Sequence, residues 1–371
     1  MLIDRSWKKA RRVLCIRLDS LGDVLMTTPA MRALKEAHPG RTISLLTSTA
    51  GAKAAELIPE VDEVIIYDAP WMKATALRTD SSLEYQMATR LRKGCFDAAV
   101  IFTVFSQNPL PAALLAYLAD IPLRLAHCRE NPYQLLTHWV PETDPGPGDV
   151  MRHEVRRHLD LVNTVGCNTL NETLSLCVPE LADRKIRKRL RSLGLDLASP
   201  WVAVHPGASA PSRRYMPEGF AVVAHELIVK HGIQVVFTGS AKESSLVQEI
   251  QAQIGAPSFS LAGRLSLAEL AALLEQASLL ISNNSGPVHV AAAVGTPVVD
   301  IYALTNPQHT PWGVAYRLLF HDVPCKNCFK SICPMEHHNC LRLVKPKSVV
   351  QAALELLEET CHYCPAPKVL R

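Results

Sequence analysis

The sequence predicts an α/β protein made of two Rossmann-like domains, each a doubly wound parallel sheet, facing a cleft. Three observations carry that expectation. Short β-branched runs alternate with helical patterns along nearly the whole chain, as parallel sheets covered by helices require. A turn-rich stretch at 141–148 holds Pro141, Pro145, Gly146, Pro147 and Gly148 and interrupts regular structure near the middle. The length of 371 residues, 48% hydrophobic and 20% charged, exceeds what one hydrophobic core usually organises. The expected division is 1–178 and 179–371, with a cysteine-rich segment at 325–340 in the second domain.

In the first half, strands are expected at 13–18, 42–47, 63–67 and 97–102, and helices at 31–38, 83–91 and 112–119, the latter from apolar spacing. A helix at 153–165 follows the turn-rich stretch. Beyond Pro179 a basic helical run, 184–191, precedes a second βα series. That series reads strand 201–204, helix 218–231, strand 234–238, helix 242–254, strand 258–261, helix 266–276, strand 279–282, a helix opening at Ser285, and strand 297–302. Ligands of open parallel sheets bind beyond the carboxyl ends of strands, so the loops after Leu18, Val204, Thr238 and Ser282 are where chemistry is expected.

The charge balance, 39 Lys+Arg against 35 Asp+Glu, excludes a binder whose affinity for nucleic acid rests on bulk charge, and no nucleic-acid partner is expected. Residues 1–12 are charged and lack an apolar core, which predicts a cytoplasmic location. Asp120 and Glu269 interrupt the best apolar windows, so no membrane span is expected. A peripheral contact is the alternative: Trp7, Lys8, Lys9, Arg11 and Arg12 suit anionic headgroups, against the plainer reading of a solvated basic end.

Familiar motifs fail. There is no G-x-x-x-x-G-K-[ST], and the first βα turn, Asp19-Ser20-Leu21-Gly22-Asp23, lacks the second and third glycines of a dinucleotide fingerprint. His153-Glu154-Val155-Arg156-Arg157-His158 resembles a zinc-protease helix, but its histidines stand roughly 140° apart around a helix, and the segment reads as a solvated face. Asp23, at a strand-to-helix turn, reads either as a helix cap or as a general base beside the cleft.

The small-residue loop His205-Pro206-Gly207-Ala208-Ser209-Ala210, followed by Arg213 and Arg214, suits a phosphate-bearing ligand; a solvated loop with two surface arginines is the plain alternative. Ser282-Asn283-Asn284-Ser285-Gly286-Pro287-Val288-His289 ends a strand and opens a helix. Its free N–H groups and the positive end of the helix dipole make an anion site, against a simple cap at Ser285.

Of the eleven cysteines, Cys15, Cys95, Cys128, Cys167 and Cys177 read as ordinary buried thiols. Cys325, Cys328, Cys333 and Cys340 lie within 16 residues, with His337 and His338 between the last two, and Cys361-x2-Cys364 follows. In a cytosolic protein this spacing favours a structural zinc, iron or iron–sulfur group; redox-active thiols and disulfides are the other readings.

Together the segments carry a resemblance. Residues 13–24 with Thr27-Thr28-Pro29-Ala30, then His205-Pro206-Gly207-Ala208-Ser209, Leu261-Ala262-Gly263 with Leu267, and 284–292 are similar, in order and separation, to the motifs of glycosyltransferase family 9, the ADP-heptose:lipopolysaccharide heptosyltransferases. The resemblance covers roughly 12–360. It implies a GT-B fold with the acceptor on the N-terminal domain and the nucleotide sugar, ADP-heptose, on the C-terminal one. It also implies inverting transfer to a lipid-linked glycan at the inner face of the inner membrane, with no cofactor required.

By resemblance Asp23 matches the general base, Arg213 a cation at the nucleotide phosphates, with Arg214 sharing the task, and Glu243 an acid near the ribose. Ser209 belongs to the donor loop, and Ser285, Gly286, Pro287, Val288 and His289 to the diphosphate turn. Asn284 stands where the family usually has Asp, and Tyr215-Met216 replace its Trp-Pro neighbourhood. A branch that glycosylates autotransporters is similar in carrying cysteine-bound iron. The Asn284 departure keeps in play another donor sugar, a protein acceptor, or a non-catalytic nucleotide-sugar-binding protein.

Overall fold

The computed structural model describes residues 7–73, 75–142 and 151–361, the side chains of 360 and 361 excepted. The start of the leader, most of the 141–148 stretch and Cys364 lie outside these residues. The chain divides into two compact units, Met1–Cys177 and Val178–Arg371.

In the first unit, strands β1 (Arg12–Arg17), β2 (Thr42–Thr47), β3 (Glu63–Ile66), β4 (Ala98–Ile101), β5 (Leu123–Cys128) and β6 (His138–Pro141) form one parallel sheet in the order β3-β2-β1-β4-β5-β6. Its helices are α1 (Leu21–Leu25), α2 (Thr28–Glu36), α3 (Thr49–Ala55), α4 (Ser82–Lys93), α5 (Leu110–Leu118) and α6 (Glu154–Asn163). In β1, β2 and β4 the runs are apolar on both faces because helices cover both, and Leu14, Ile16, Leu46 and Ile101 share one sealed cluster.

The second unit opens with α7 (Glu180–Ser192). Strands β7 (Trp201–His205), β8 (Gln234–Phe237), β9 (Phe259–Ser260), β10 (Leu279–Asn283), β11 (Val298–Ile301) and β12 (Tyr316–Leu319) follow, in the order β12-β11-β10-β7-β8-β9. Helices α8 (Pro217–His231), α9 (Ser244–Ile254), α10 (Leu267–Gln276), α11 (Gly286–Val294), α12 (Asn339–Arg342) and α13 (Pro346–Cys361) complete it. Val204, Phe237, Ile281, Ile301 and Leu356 belong to its core. Both sheets therefore reverse direction between their first and fourth strands, β1/β4 and β7/β10, which is where such sheets hold ligands.

Several elements escape the sequence reading. In β5, Leu123-Arg124-Leu125-Ala126-His127-Cys128, charged residues break the apolar run. They are tolerated because the Arg124 guanidinium donates to the carbonyls of Leu135 and Gln134, and His127 Nε2 meets the Arg157 carbonyl at 3.1 Å. Edge strands β6 and β12 are half-exposed and too short for a period to show.

Two expectations are corrected. Trp7 is unavailable to a membrane: it is 1% exposed, its ring packs edge-on against His138 at 5.7 Å, and its carbonyl accepts from Arg41. Cys15, Cys128 and Cys167 are buried, but Cys95 and Cys177 are exposed, in the connections after α4 and α6. Among the described residues no helix is long and apolar enough to cross a membrane.

Candidate active site

The first unit places an acid cluster at its switch point. Strand β1 ends in Arg17, whose side chain is sealed from solvent, and three carboxylates converge on its guanidinium. Nε lies 3.1 Å from Asp19 Oδ2, Nη2 3.2 Å from Asp23 Oδ1 and Nη1 3.2 Å from Glu154 Oε1. Burial opposes the charge on Arg17, but these acids outweigh it and hold the guanidinium ionised. Asp23 occupies the third position of α1. Its Oδ2 accepts from the Ser20 N–H at 3.1 Å and the Ser20 hydroxyl at 2.6 Å, while the side chain stays 14% exposed. Cap and exposed acid are thus one arrangement: the capping bonds fix a carboxylate that solvent still reaches.

Neighbours tune the cluster. The Asp19 carboxyl is raised to about 6: burial pushes it up, as do Asp23 and Glu154, while Arg17 and a hydrogen bond from Gln107 pull it down. Burial also opposes ionisation of Glu154, yet His158, Arg17 and Arg157 hold it far below the usual carboxylate range. His158 Nε2 lies 3.1 Å from both Glu154 Oε1 and Arg17 Nη1, and the ring packs edge-on against Phe102 at 5.0 Å. Arg157 continues the chain of charges with two bonds to Glu142, at 2.6 and 2.7 Å.

The segment 153–158 is consequently not a solvated face. Glu154, Arg157 and His158 are sealed, and only Arg156 points to solvent, where it pairs with Glu172. Helical spacing puts 154, 157, 158 and 161 on one face, and charge is tolerated there because each group meets an opposite one. Arg17, Asp19, Gln107, Glu154 and His158 are the site residues that sequence reasoning missed. The visible signal was Arg17 closing an otherwise apolar strand, Val13-Leu14-Cys15-Ile16-Arg17.

The second unit places a helix-initial turn at the equivalent position. Asn283 ends β10 and stitches the loop after β7: its Nδ2 donates to the Pro206 carbonyl at 2.6 Å and its Oδ1 accepts from the Tyr215 N–H at 3.0 Å. Tyr215, standing in for the family's Trp, is buried and donates its hydroxyl to the Val344 carbonyl. Ser285 precedes α11 but makes no capping bond; its hydroxyl is buried without a partner, as is Nε of Arg213. The simple cap is therefore not what Ser285 does. Val288 and His289 are buried in the first turn of α11.

Arg214 serves its own loop, donating from Nε to the Ala208 carbonyl at 2.8 Å and from Nη2 toward the Ser209 carbonyl at 3.4 Å. Ser209 itself is exposed. Glu243 lies over the loop: burial opposes its charge, but the Ser240 N–H, at 2.7 Å, with His205 and Arg214 holds it ionised. A Cβ on Gly207 would stand 2.0 Å from Glu243 Oε1, so only glycine lets the carboxylate lie there.

The four cysteines do not fit a metal. Cys340 feels the thiols of Cys333, Cys325 and Cys328, though burial is the larger cause that pushes it up, and Cys325 Sγ lies 3.8 Å from His337 Nε2. Among the described residues, however, no three His, Cys, Asp or Glu side chains come close enough to hold an ion, and Cys325, Cys328, Cys333 and Cys340 are all free. The segment instead braces the donor loop. Ser212 donates its N–H to the Ser331 carbonyl at 3.1 Å and its hydroxyl to the Lys330 carbonyl at 2.8 Å, next to Arg213.

Two Rossmann units of like strand order, one with an arginine-held acid and the other with an open helix-initial turn after its fourth strand, describe a glycosyltransferase of the GT-B class. Residues 85–339 match the profile of Glycosyltransferase family 9 (heptosyltransferase). The chain belongs to that family. It is 28% identical over 364 residues to lipopolysaccharide heptosyltransferase 2 of Salmonella typhimurium, covering 94% of this chain and 99% of the relative. To lipopolysaccharide heptosyltransferase 2 of Escherichia coli K12 it is 27% identical over 309 residues, covering 81% and 85%. The fold matches a family 9 glycosyltransferase from Veillonella parvula with a TM-score of 0.78 at 24% identity, covering 97% of this chain and 99% of that one. It also matches E. coli ADP-heptose lipopolysaccharide heptosyltransferase II, with a TM-score of 0.71 at 24% identity over 94% and 99%.

Proposed function

We propose that this glycosyltransferase moves a heptose from ADP-heptose to the lipopolysaccharide core, with inversion at the anomeric carbon. The substrates are supported by the likeness to lipopolysaccharide heptosyltransferases along 94% of the chain. The observation that carries the mechanism is the partly exposed Asp23 carboxylate held by Arg17 and Ser20. Asp23 takes the proton of the acceptor hydroxyl as that oxygen attacks the anomeric carbon. The bond from that carbon to the phosphate oxygen breaks, and ADP leaves with the electron pair. In this reading the first unit takes the acceptor and the second the donor. The N–H groups of Ser285 and Gly286, with Arg213, stabilise the leaving diphosphate, and Glu243 meets the ribose.

No step runs through a metal, and a structural zinc or iron on the cysteines is not part of the proposal. The acceptor's lipid anchor places the reaction at the cytoplasmic face of the inner membrane, where the exposed Lys8, Lys9 and Arg11, without Trp7, suit anionic headgroups. The test is incubation with a panel of nucleotide sugars and heptose-truncated lipopolysaccharides, read by mass spectrometry. Wild type transfers heptose from ADP-heptose, and Asp23→Ala loses roughly 10²- to 10⁴-fold in kcat while still binding ADP. Transfer from no donor sinks the reading; transfer only from another donor, or only to protein, replaces its substrates.

A further inference from the structure

One buried acid in the second unit is unused by this mechanism. Asp300 sits in β11 within the run Val298-Val299-Asp300-Ile301 and is fully sealed, as are its apolar neighbours in the strand. A carboxyl in the middle of a parallel sheet costs stability unless it is paired or neutral. Its register partner on β10 is Ser282, two residues before Asn284. Oδ2 accepts from Asn284 Nδ2 at 3.2 Å, while Oδ1 is buried without a partner. The other hydrogen of the same amide goes to the His309 carbonyl at 3.1 Å, so the orientation of Asn284 is set from two sides. Arg213 lies close enough to act on Asp300, and its Nε is also unpartnered, as is the Ser285 hydroxyl at the neighbouring position. Three unsatisfied buried polar atoms, an acid oxygen, a guanidinium nitrogen and a hydroxyl, thus adjoin one turn.

We infer that Asp300 is a positioning residue of the diphosphate turn: as a neutral acid it holds the Asn284 amide, and binding of a nucleoside diphosphate beside it draws a proton onto its carboxyl. This rests on the placement of the diphosphate at 284–288 proposed above. Burial pushes Asp300 up to about 8, with the Asn284 bond and Arg213 pulling the other way. Arg213 faces it with a positive charge, and burial pushes the Tyr302 phenol higher, keeping it neutral. His309 and His289 in the adjoining loop and helix are the remaining titratable neighbours. An ionised Asp300 beside a diphosphate sets two anions together in a low dielectric. The ligand therefore favours the protonated form, and by linkage the proton favours the ligand.

The experiment is calorimetric titration of the full chain with ADP in buffers of different ionisation enthalpy, from pH 7 to 9. The wild type is expected to take up about half a proton per ADP near pH 8.5 and to lose roughly fivefold in affinity between pH 7 and 9. Asp300→Asn, which keeps a neutral side chain, is expected to bind ADP with no proton uptake and a flat pH dependence. Zero uptake by the wild type near pH 8.5, which needs no variant, overturns the inference, as does equal uptake by a folded Asp300→Asn protein. In either case ADP still binds and the function proposal stands; absence of ADP binding removes both.

Discussion

The two switch points use one topology for opposite electrostatic ends. After β1 a buried cation, Arg17, is surrounded by three acids, Asp19, Asp23 and Glu154. In the second unit a buried acid, Asp300 of β11, lies beside an arginine and the helix-initial turn that follows β10. An excess of carboxylates suits removal of a proton from an alcohol; an excess of donors suits a diphosphate that gains charge as it leaves. The sheet supplies the position, and the residues at each strand end decide the charge it presents.

The comparison is broken most severely in the acid cluster. Glu154→Gln removes the sealed carboxylate that Arg17 and Arg157 share, leaving Arg17 to Asp19 and Asp23 and Arg157 to Glu142, and breaking a buried pair costs up to about 3–5 kcal/mol. The melting temperature is expected to fall on the order of 10 °C, with kcat falling as Asp23 loses its fixed orientation. A scanning calorimetry trace that matches wild type would show that Arg17 does not need this partner.

A smaller effect is expected on the donor side. Gly207→Ala brings a Cβ to 2.0 Å from Glu243 Oε1, so the carboxylate must swing off the loop. The KM for the donor is expected to rise on the order of tenfold, about 1.4 kcal/mol, with kcat and melting temperature little changed. An unchanged donor KM removes Glu243 from nucleotide recognition.

The smallest effect sharpens the contrast through pH. Asp19, pushed up to about 6, is ionised above that pH and neutral below it. Its protonation leaves Arg17 more fully shared with Asp23 and makes Asp23 a weaker base. The transfer rate should therefore drop as pH falls through about 6, and Asp19→Asn should flatten this acid limb at a rate a few-fold lower. A limb that persists unchanged in kcat/KM profiles from pH 5 to 8 assigns it to another group.

Sequence legibility differed between the two regions for a physical reason. The turn at 284–288 is local: a strand end, a flexible Gly and a helix start are contiguous, and backbone N–H groups need no distant partner. The acid cluster is not local. Glu154 reaches Arg17 across 137 residues, and nothing in 153–158 read alone distinguishes a paired buried charge from a solvated one. The cysteines failed similarly: Cys-x2-Cys spacing suggests a chelate, but the chain between Cys328 and Cys340 runs against Ser212 instead of closing four thiols around an ion.

By itself the sequence determined the α/β alternation, the repetition of a Rossmann-type series in each half, the family and the two turns for which chemistry is proposed. These follow from periodicity and from residues close in the chain. Only the tertiary structure decided that Asp23 is held by a buried arginine, that a dismissed helix supplies the counter-charge, that Ser285 is not a cap and that Asp300 stands behind Asn284. Each depends on burial and on partners from distant strands, and the dielectric around a charge is a property of the packed molecule, not of its neighbours in sequence.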